Sequence, residues 1–293
     1  MSAGRVLRGE APAKINRELR VGPRRADGFH EIRSRLVTID LSDEIEVQSA
    51  ARLDLTCDLP GLSVGPSNLV ARAAMALAER LGLEPLVRLR LSKRIPVGAG
   101  LGGGSSDAAV TLRLLSRLWG RTVPDADLAS IAAELGSDVA FFLFGGEADV
   151  GGRGESVSLR EDGPRESLIL IVPPFSISTA AVYEAFDRTG GASSPPALLE
   201  IEESGRFFGP NDLEGAVLAV APEMANYLAD GRRVARECAV TGSGSTLVLV
   251  GASPEAVAAL LRNHPGARAI PTRTMGRREY LNRIGADRAA PPA

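Results

Sequence analysis

The residues best suited to chemistry lie in one glycine-rich run, Pro96-Val97-Gly98-Ala99-Gly100-Leu101-Gly102-Gly103-Gly104-Ser105-Ser106, followed directly by Asp107-Ala108-Ala109. Five glycines in seven positions carry an entropic cost that an ordinary connector has no reason to bear, so something must approach this backbone closely. Bare N–H groups in succession can converge on a phosphate, and a helix starting there adds its own unpaired N–H groups and the positive end of its dipole. The predicted chemistry is binding of a di- or triphosphate. Gly98 to Gly103 also fits the dinucleotide spacing G-x-G-x-x-G. That context fails: Lys93-Arg94-Ile95-Pro96 intervene after the strand, about 90 residues precede it, and the acidic residue expected about 20 positions on is missing from Leu118-Trp119-Gly120-Arg121-Thr122. No Gly-Lys-Ser/Thr closes the loop as in a P-loop, and no His-Arg-Asp accompanies it as in a protein kinase.

Two single residues stand out beside the loop. Of 34 basic residues only Lys14 and Lys93 are lysine. Ammonium is a compact point charge and guanidinium a planar fork, so a chain that otherwise uses arginine and keeps lysine here points to a narrow fit. Asp138 heads the apolar run Val139-Ala140-Phe141-Phe142-Leu143-Phe144, which puts a carboxylate at a change of chain direction beside a hydrophobic wall. A helix N-cap is the competing reading for it.

The elements that must position these residues follow from periodicity. Ala13 to Val21 alternates as a strand, with Arg17 out of place on the apolar face. Leu36 to Asp40 and Glu44 to Val47 read as two strands separated by a turn at Leu41-Ser42-Asp43. A helix runs from Ser67 as N-cap to Leu81, stopped by Gly82, and Leu86 to Leu91 is the strand that enters the glycine loop. Ala108, Leu112, Leu115 and Trp119 recur at helical spacing behind the loop, and a further helix opens at Pro124-Asp125 and stops at Gly136. Beyond a boundary near Asp162 come the strand Leu168 to Val172, a helix from Ser178-Thr179 through Phe186, the turn Val240 to Ser245, the strand Thr246 to Val250 and a helix from Pro254 to Arg262. Strands and helices mix without strict alternation, which predicts an α+β fold. The tail from Ala286 is expected to be disordered.

Composition narrows the partners. With 34 Lys+Arg against 36 Asp+Glu there is no field to draw nucleic acid or an anionic membrane. Cys57, Cys238, His30 and His264 are too few for a disulfide framework or a zinc site. No apolar stretch reaches signal-peptide or membrane-spanning length, so a cytoplasmic location is expected.

Pro12-Ala13-Lys14-Ile15-Asn16, Arg24-Arg25-Ala26-Asp27-Gly28-Phe29-His30-Glu31, the glycine loop, Asn211-Asp212-Leu213-Glu214 and Gly242-Ser243-Gly244-Ser245 together resemble the GHMP kinases. The Asp-Gly-Phe-His-Glu segment narrows the likeness to members of non-mevalonate isoprenoid synthesis that act on a cytidine diphosphate-linked methylerythritol; matches span Pro12 to about Tyr280. The resemblance implies a ribosomal protein S5 domain 2-like domain over 1–161, a ferredoxin-like domain over 162–285, and a cleft between them where ATP with Mg2+ phosphorylates an erythritol hydroxyl. It implies Lys14 and Asp138 as the catalytic pair, and Asn68 with Pro96 to Ser106 for the nucleotide. Ser106 or Ser105 is implied for the metal, and Asn16, Phe29, His30, Thr179 and Tyr183 for the substrate, aromatic faces suiting a pyrimidine and the imidazole its edge. Gly242-Ser243-Gly244 would be a second glycine turn closing on the cleft. Phe29 replaces a more usual tyrosine and Arg17 a common leucine. Two alternatives stand beside this reading: a GHMP kinase for mevalonate, homoserine or a sugar, and a non-catalytic nucleotide or metabolite sensor. Retention of both Lys14 and Asp138 argues against the sensor. The oligomeric state is left open.

Overall fold

Two long strands, β1 (Val6–Arg24) and β2 (His30–Ser49), pair antiparallel and carry the first half of the fold. The computed structural model describes residues 5–192, 196–197 and 205–285; the tail from Ala286 lies outside them. The β1–β2 register shifts between Pro12 and Lys14, between Asn16 and Glu18, and between Val21 and Arg24. Arg17 sits in the second of these irregularities, which is why it breaks the alternation expected of it. It is buried, ion-paired with Glu147 and placed with its guanidinium 4.8 Å from the centre of the Phe207 ring.

The turn expected at Leu41-Ser42-Asp43 does not form, and β2 runs through it unbroken. Ser42 and Asp43 pair with Pro12 and Ala11 of β1, and neighbours on the other flank continue the ladder on either side. The polar residues serve a distant partner instead: the buried Asp43 carboxylate accepts the N–H groups of Arg94 and Ile95 at 2.5 and 2.8 Å. It thereby ties down the start of the glycine loop.

β3 (Asp54–Cys57) lies parallel to β4 (Val87–Ser92), which pairs with the second half of β2. Over this sheet lie α1 (Leu69–Leu81), α2 (Gly103–Leu118) and α3 (Asp125–Leu135). Val70, Ala74 and Leu77 of α1 and Ala108, Leu112 and Leu115 of α2 share one core with Ile45, Val47, Leu89 and Leu91. Each such leucine contributes roughly 1.5–3 kcal/mol by leaving water. The cap of α1 is Asn68 and not Ser67: the Asn68 backbone is extended and its Oδ1 accepts the Val70 N–H at 2.9 Å. Behind Asp138 the apolar run forms turns and one short 3-10 segment, Phe141–Leu143, wholly buried. The hairpin β5 (Glu147–Gly151) and β6 (Ser156–Leu159) then extends the sheet from β2.

The second half is a βαββαβ unit. β7 (Ser167–Val172) is followed by α4 (Thr179–Arg188), α5 (Glu214–Val220) and α6 (Met224–Val234), then β8 (Glu237–Val240) and β9 (Leu247–Val250). α7 (Pro254–Asn263), β10 (Arg268–Met275) and α8 (Arg277–Arg283) complete it. The strands lie in the order β10-β7-β9-β8, all antiparallel, which is the ferredoxin-like arrangement expected for this half. β10 also bonds to β2 through Thr274 and Met275, so one sheet joins both halves. Met275, Tyr280 and Ile284 then enter the core of the first half, where the Tyr280 hydroxyl donates to the Phe142 carbonyl. The whole is α+β.

Candidate active site

The glycine loop joins β4 to α2. The cap residue before α2 is Gly102, which adopts a left-handed conformation (φ 71°) and supplies no side-chain cap. The first N–H groups of a 16-residue helix are therefore left without a capping side chain at the cleft wall, the arrangement that favours an anion. Two of the glycines also answer to protein neighbours. At Gly100 (φ 78°) a Cβ would stand 2.8 Å from the carbonyl oxygens of both Gly244 and Thr241. At Gly102 a Cβ would stand 2.9 Å from the Phe142 ring and 3.0 Å from Cγ of Lys14. The turn at Gly242-Ser243-Gly244 thus closes against the loop, backbone to backbone.

Lys14 and Asp138, 124 positions apart in the chain, face each other across this loop. Lys14 sits on β1, its backbone N–H donating to the Leu101 carbonyl at 3.0 Å. Its buried Nζ donates to Asn16 Oδ1 at 2.8 Å and lies 3.4 Å from Asp138 Oδ2. Asp138 stands in the turns after α3, and no N–H in the described residues caps against it. Its carboxylate stays open to the cleft, 32% exposed against 6% for the Lys14 side chain. The N-cap reading of Asp138 is not what the structure displays.

One cleft of about 920 Å³ gathers Lys14, Asn16, Phe29, His30, Asn68, Pro96 to Ser105, Asp138, Thr179 and Tyr183. Ser106 is the exception. It is fully buried in α2 with its hydroxyl donating to the Pro12 carbonyl at 2.7 Å, so its side chain braces β1 and faces no metal site; Ser105 is the hydroxyl on the cleft. Asn68 lines the cleft with its side chain already committed, Oδ1 to Val70 and Nδ2 to the Ser63 carbonyl at 2.7 Å. Asn16 orients Lys14 and is itself held by Ser34 and Thr241. Thr179 Oγ1 lies 2.8 Å from Ser243 Oγ, linking α4 to the second glycine turn.

At the other end of the cleft Phe29 is 50% exposed. His30 stacks on Tyr183 with ring centres 5.3 Å apart. Both its ring nitrogens have protein partners, Nδ1 at 2.9 Å from the Gly22 carbonyl and Nε2 at 3.2 Å from Asp187 Oδ1. Burial, and after it the nearby Asp138 carboxylate, push the Tyr183 phenol up to about 12, which keeps it a hydrogen-bond donor.

Three residues to which the sequence motifs give no role form a buried ion cluster under the loop. Lys93 Nζ lies 2.5 Å from Asp43 and 2.8 Å from Asp107. Burial, helped by the neighbouring Asp43 carboxylate, pushes Asp107 up to about 8 against the pull of Lys93. Burial works against the Lys93 charge, but the two acids outweigh it and raise its pKa. The rarity of lysine marks Lys93; nothing local pairs it with a strand residue 50 positions earlier.

Fold and cleft together define a GHMP-type small-molecule kinase. Residues 68–146, which run from the cap of α1 through the glycine loop to the end of the Asp138 turns, match the GHMP kinases N terminal domain. The chain is 39% identical over 275 residues to 4-diphosphocytidyl-2-C-methyl-D-erythritol kinase of Anaeromyxobacter dehalogenans (strain 2CP-C), covering 91% of this chain and 84% of that one. It is 38% identical over 273 residues to the kinase of the same name from Streptomyces avermitilis, covering 88% and 89%. A crystal structure of 4-(cytidine 5'-diphospho)-2C-methyl-D-erythritol kinase superposes with a TM-score of 0.75 at 33% identity over 92% of this chain and 100% of that one. The homoserine kinase of Cytophaga hutchinsonii, with a TM-score of 0.69 at 18% identity and coverage of 96% and 98%, shares the fold. The chain belongs to the 4-diphosphocytidyl-2-C-methyl-D-erythritol kinase family.

Proposed function

We propose that this chain transfers the γ-phosphoryl group of ATP to a hydroxyl of 4-diphosphocytidyl-2-C-methyl-D-erythritol, in the cytoplasm, as a step of non-mevalonate isoprenoid synthesis. The observation that carries the mechanism is the Lys14–Asp138 pair, 3.4 Å apart, beside the open first turn of α2. The triphosphate lies along Pro96 to Ser105. The acceptor hydroxyl lies at Asp138, which orients it and takes its proton as the oxygen bonds to the γ-phosphorus. The bond from that phosphorus to the bridging oxygen breaks and ADP leaves. Lys14, fixed by Asn16, offsets the negative charge shared by carboxylate and phosphoryl group. Asn68 supports the nucleotide side through the cap it forms. Phe29 and Tyr183 supply aromatic faces for the pyrimidine, and Thr179 joins that wall to the second glycine turn.

Magnesium fits this site as an ion carried mainly by the nucleotide. No group of three His, Cys, Asp or Glu that could hold a metal exists among the described residues, while the Ser105 hydroxyl and the Asp138 carboxylate both face the cleft. Mg2+ commonly keeps several waters and takes one or two protein oxygens with phosphate oxygens, where it would neutralise phosphate charge. The two-domain division at residues 161 and 162 belongs to the same proposal, with the cleft between glycine loop and α4 as its interface. No helix in the described residues is long and apolar enough to cross a membrane.

The direct test is phosphoryl transfer from ATP to a panel of diphosphocytidyl-methylerythritol, mevalonate and homoserine. Turnover of the first with kcat/KM far above the others is expected. Turnover of another acceptor without the first would sink the proposal.

A further inference from the structure

Among the described residues four Lys and Arg side chains line the cleft: Lys14, Arg24, Lys93 and Arg153. Lys14 is held by Asp138 and Asn16, and Lys93 by Asp43 and Asp107. Arg24 stands exposed on the rim with its Nε on the Gly28 carbonyl. Arg153 is placed differently. It projects from the tip of the β5–β6 hairpin, with its guanidinium 5.0 Å from the centre of the Phe29 ring and Nη2 on the Ala133 carbonyl at 3.3 Å. The nearest carboxylate, Glu155, is 4.0 Å from its Nε and already accepts the backbone N–H of Arg153 at 2.6 Å. The guanidinium is thus fixed in position by a ring and a carbonyl, with donors to spare, its only carboxylate neighbours among the described residues being Glu155 at the loose distance of 4.0 Å and the more distant charge of Asp27.

The same hairpin tip abuts the turn that carries Asp138. At Gly154 a Cβ would stand 2.9 Å from the Ser137 carbonyl oxygen, so the residue beside Arg153 touches the residue beside Asp138. Arg153 therefore lies beside the exposed Phe29 ring, on a hairpin tip that adjoins the turn of the Asp138 carboxylate. The acceptor proposed above has the same layout: a base at one end, a polyol hydroxyl at the other and a diphosphate between them. Across the cleft, α4 presents the carboxylates of Glu184 and Asp187, which disfavour phosphate on that wall. A planar guanidinium matches paired phosphate oxygens and retains its charge at any working pH.

We propose that Arg153 binds the acceptor's diphosphate and so sets the span between the base on Phe29 and the hydroxyl at Asp138. The inference rests on the acceptor proposed above.

The test compares Arg153→Met, which keeps a stem against Phe29 without the charge, with Arg153→Lys, which keeps the charge without the fork. For Arg153→Met the KM of the diphosphocytidyl acceptor should rise roughly tenfold to hundredfold, the loss of a charge-assisted hydrogen bond, with the KM of ATP within about twofold. Arg153→Lys should recover part of that loss. Binding separates charge from packing: with the nucleotide site saturated by an unreactive ATP analogue, CDP should lose its advantage over cytidine in Arg153→Met and keep much of it in Arg153→Lys. Wild-type turnover of the acceptor with an unshifted KM in Arg153→Met, or an equal loss of cytidine and CDP binding in both variants, would overturn the inference and leave the function standing. A wild-type enzyme that phosphorylates no diphosphocytidyl acceptor overturns the function, and this inference with it.

Discussion

Alanine at Gly100 and alanine at Gly104 should separate two demands that the loop's glycines otherwise confuse. At Gly100 the backbone is left-handed, which costs an alanine about 1–2 kcal/mol. The new Cβ would also meet two backbone oxygens at 2.8 Å, and neither belongs to a side chain that can swing aside. Overfilling of that kind typically costs about 1–3 kcal/mol, so Gly100→Ala should destabilise by roughly 2–5 kcal/mol. For a chain of this size that corresponds to a fall in Tm of roughly 3–8 °C. At Gly104 the backbone is helical and the nearest foreign atom, Leu69 Cδ1, would be 3.5 Å from the Cβ. Gly104→Ala should leave Tm unchanged or raise it slightly, since alanine is the better helix former by roughly 1 kcal/mol. If phosphates approach the helix start, its cost appears in the KM of ATP instead. The assays are thermal unfolding without nucleotide and ATP kinetics at saturating acceptor. A Gly100→Ala variant with wild-type Tm would refute the packing argument; a Gly104→Ala variant with wild-type ATP kinetics would refute phosphate approach at that position.

Asp138→Asn should lower kcat by roughly 10²–10⁴-fold while ATP affinity, read by equilibrium binding, stays within about threefold; unchanged turnover would remove Asp138 from proton transfer. Asn68→Ala removes a cap with two side-chain hydrogen bonds and should cost about 1 kcal/mol, read as a shift in denaturant midpoint at constant slope. The folded-state pKa of Asp107, about 8, lies above its ordinary value, so the folded chain binds the extra proton and stability should fall as pH rises towards and through 8. Asp107→Asn carries no such proton and should flatten that slope between about pH 4 and 8, by on the order of a few kcal/mol at the alkaline end; parallel slopes in the two proteins would show that Asp107 is ionised throughout.

The parts of the site that are legible in the sequence are those whose logic is local. The glycine run, the helix behind it and the apolar faces of α1 and α2 are set by residues a few positions apart. Ser106 and Asp43 escape a sequence reading for the opposite reason. The partner of the Ser106 hydroxyl is the Pro12 carbonyl, and those of Asp43 are the N–H groups of Arg94 and Ile95, so no window along the chain holds both sides of either bond. Arg17 reads as a fault in a strand because alternation assumes a regular ladder; the irregular register and the distant Glu147 explain it. His30 lines the cleft as its motif implies, while its pairing with Asp187 escapes a sequence reading because nothing near it announces so distant a partner. The ferredoxin-like order of β7 to β10 is available only through the family likeness, since short strands declare their own existence and not their neighbours.

The Tyr280 hydroxyl of α8 donates to the Phe142 carbonyl, and the Phe142 ring fills the space beside Gly102 at the head of the glycine loop. During synthesis this has a temporal meaning. A nascent chain would display the complete glycine run early, yet the turn at residues 241–244 that seats it and Tyr280, which supports its wedge, emerge well over a hundred residues later. Newly made chains would thus carry the glycine run long before the packing that shapes it, and, on the proposed function, ATP capture would report that synthesis has passed α8.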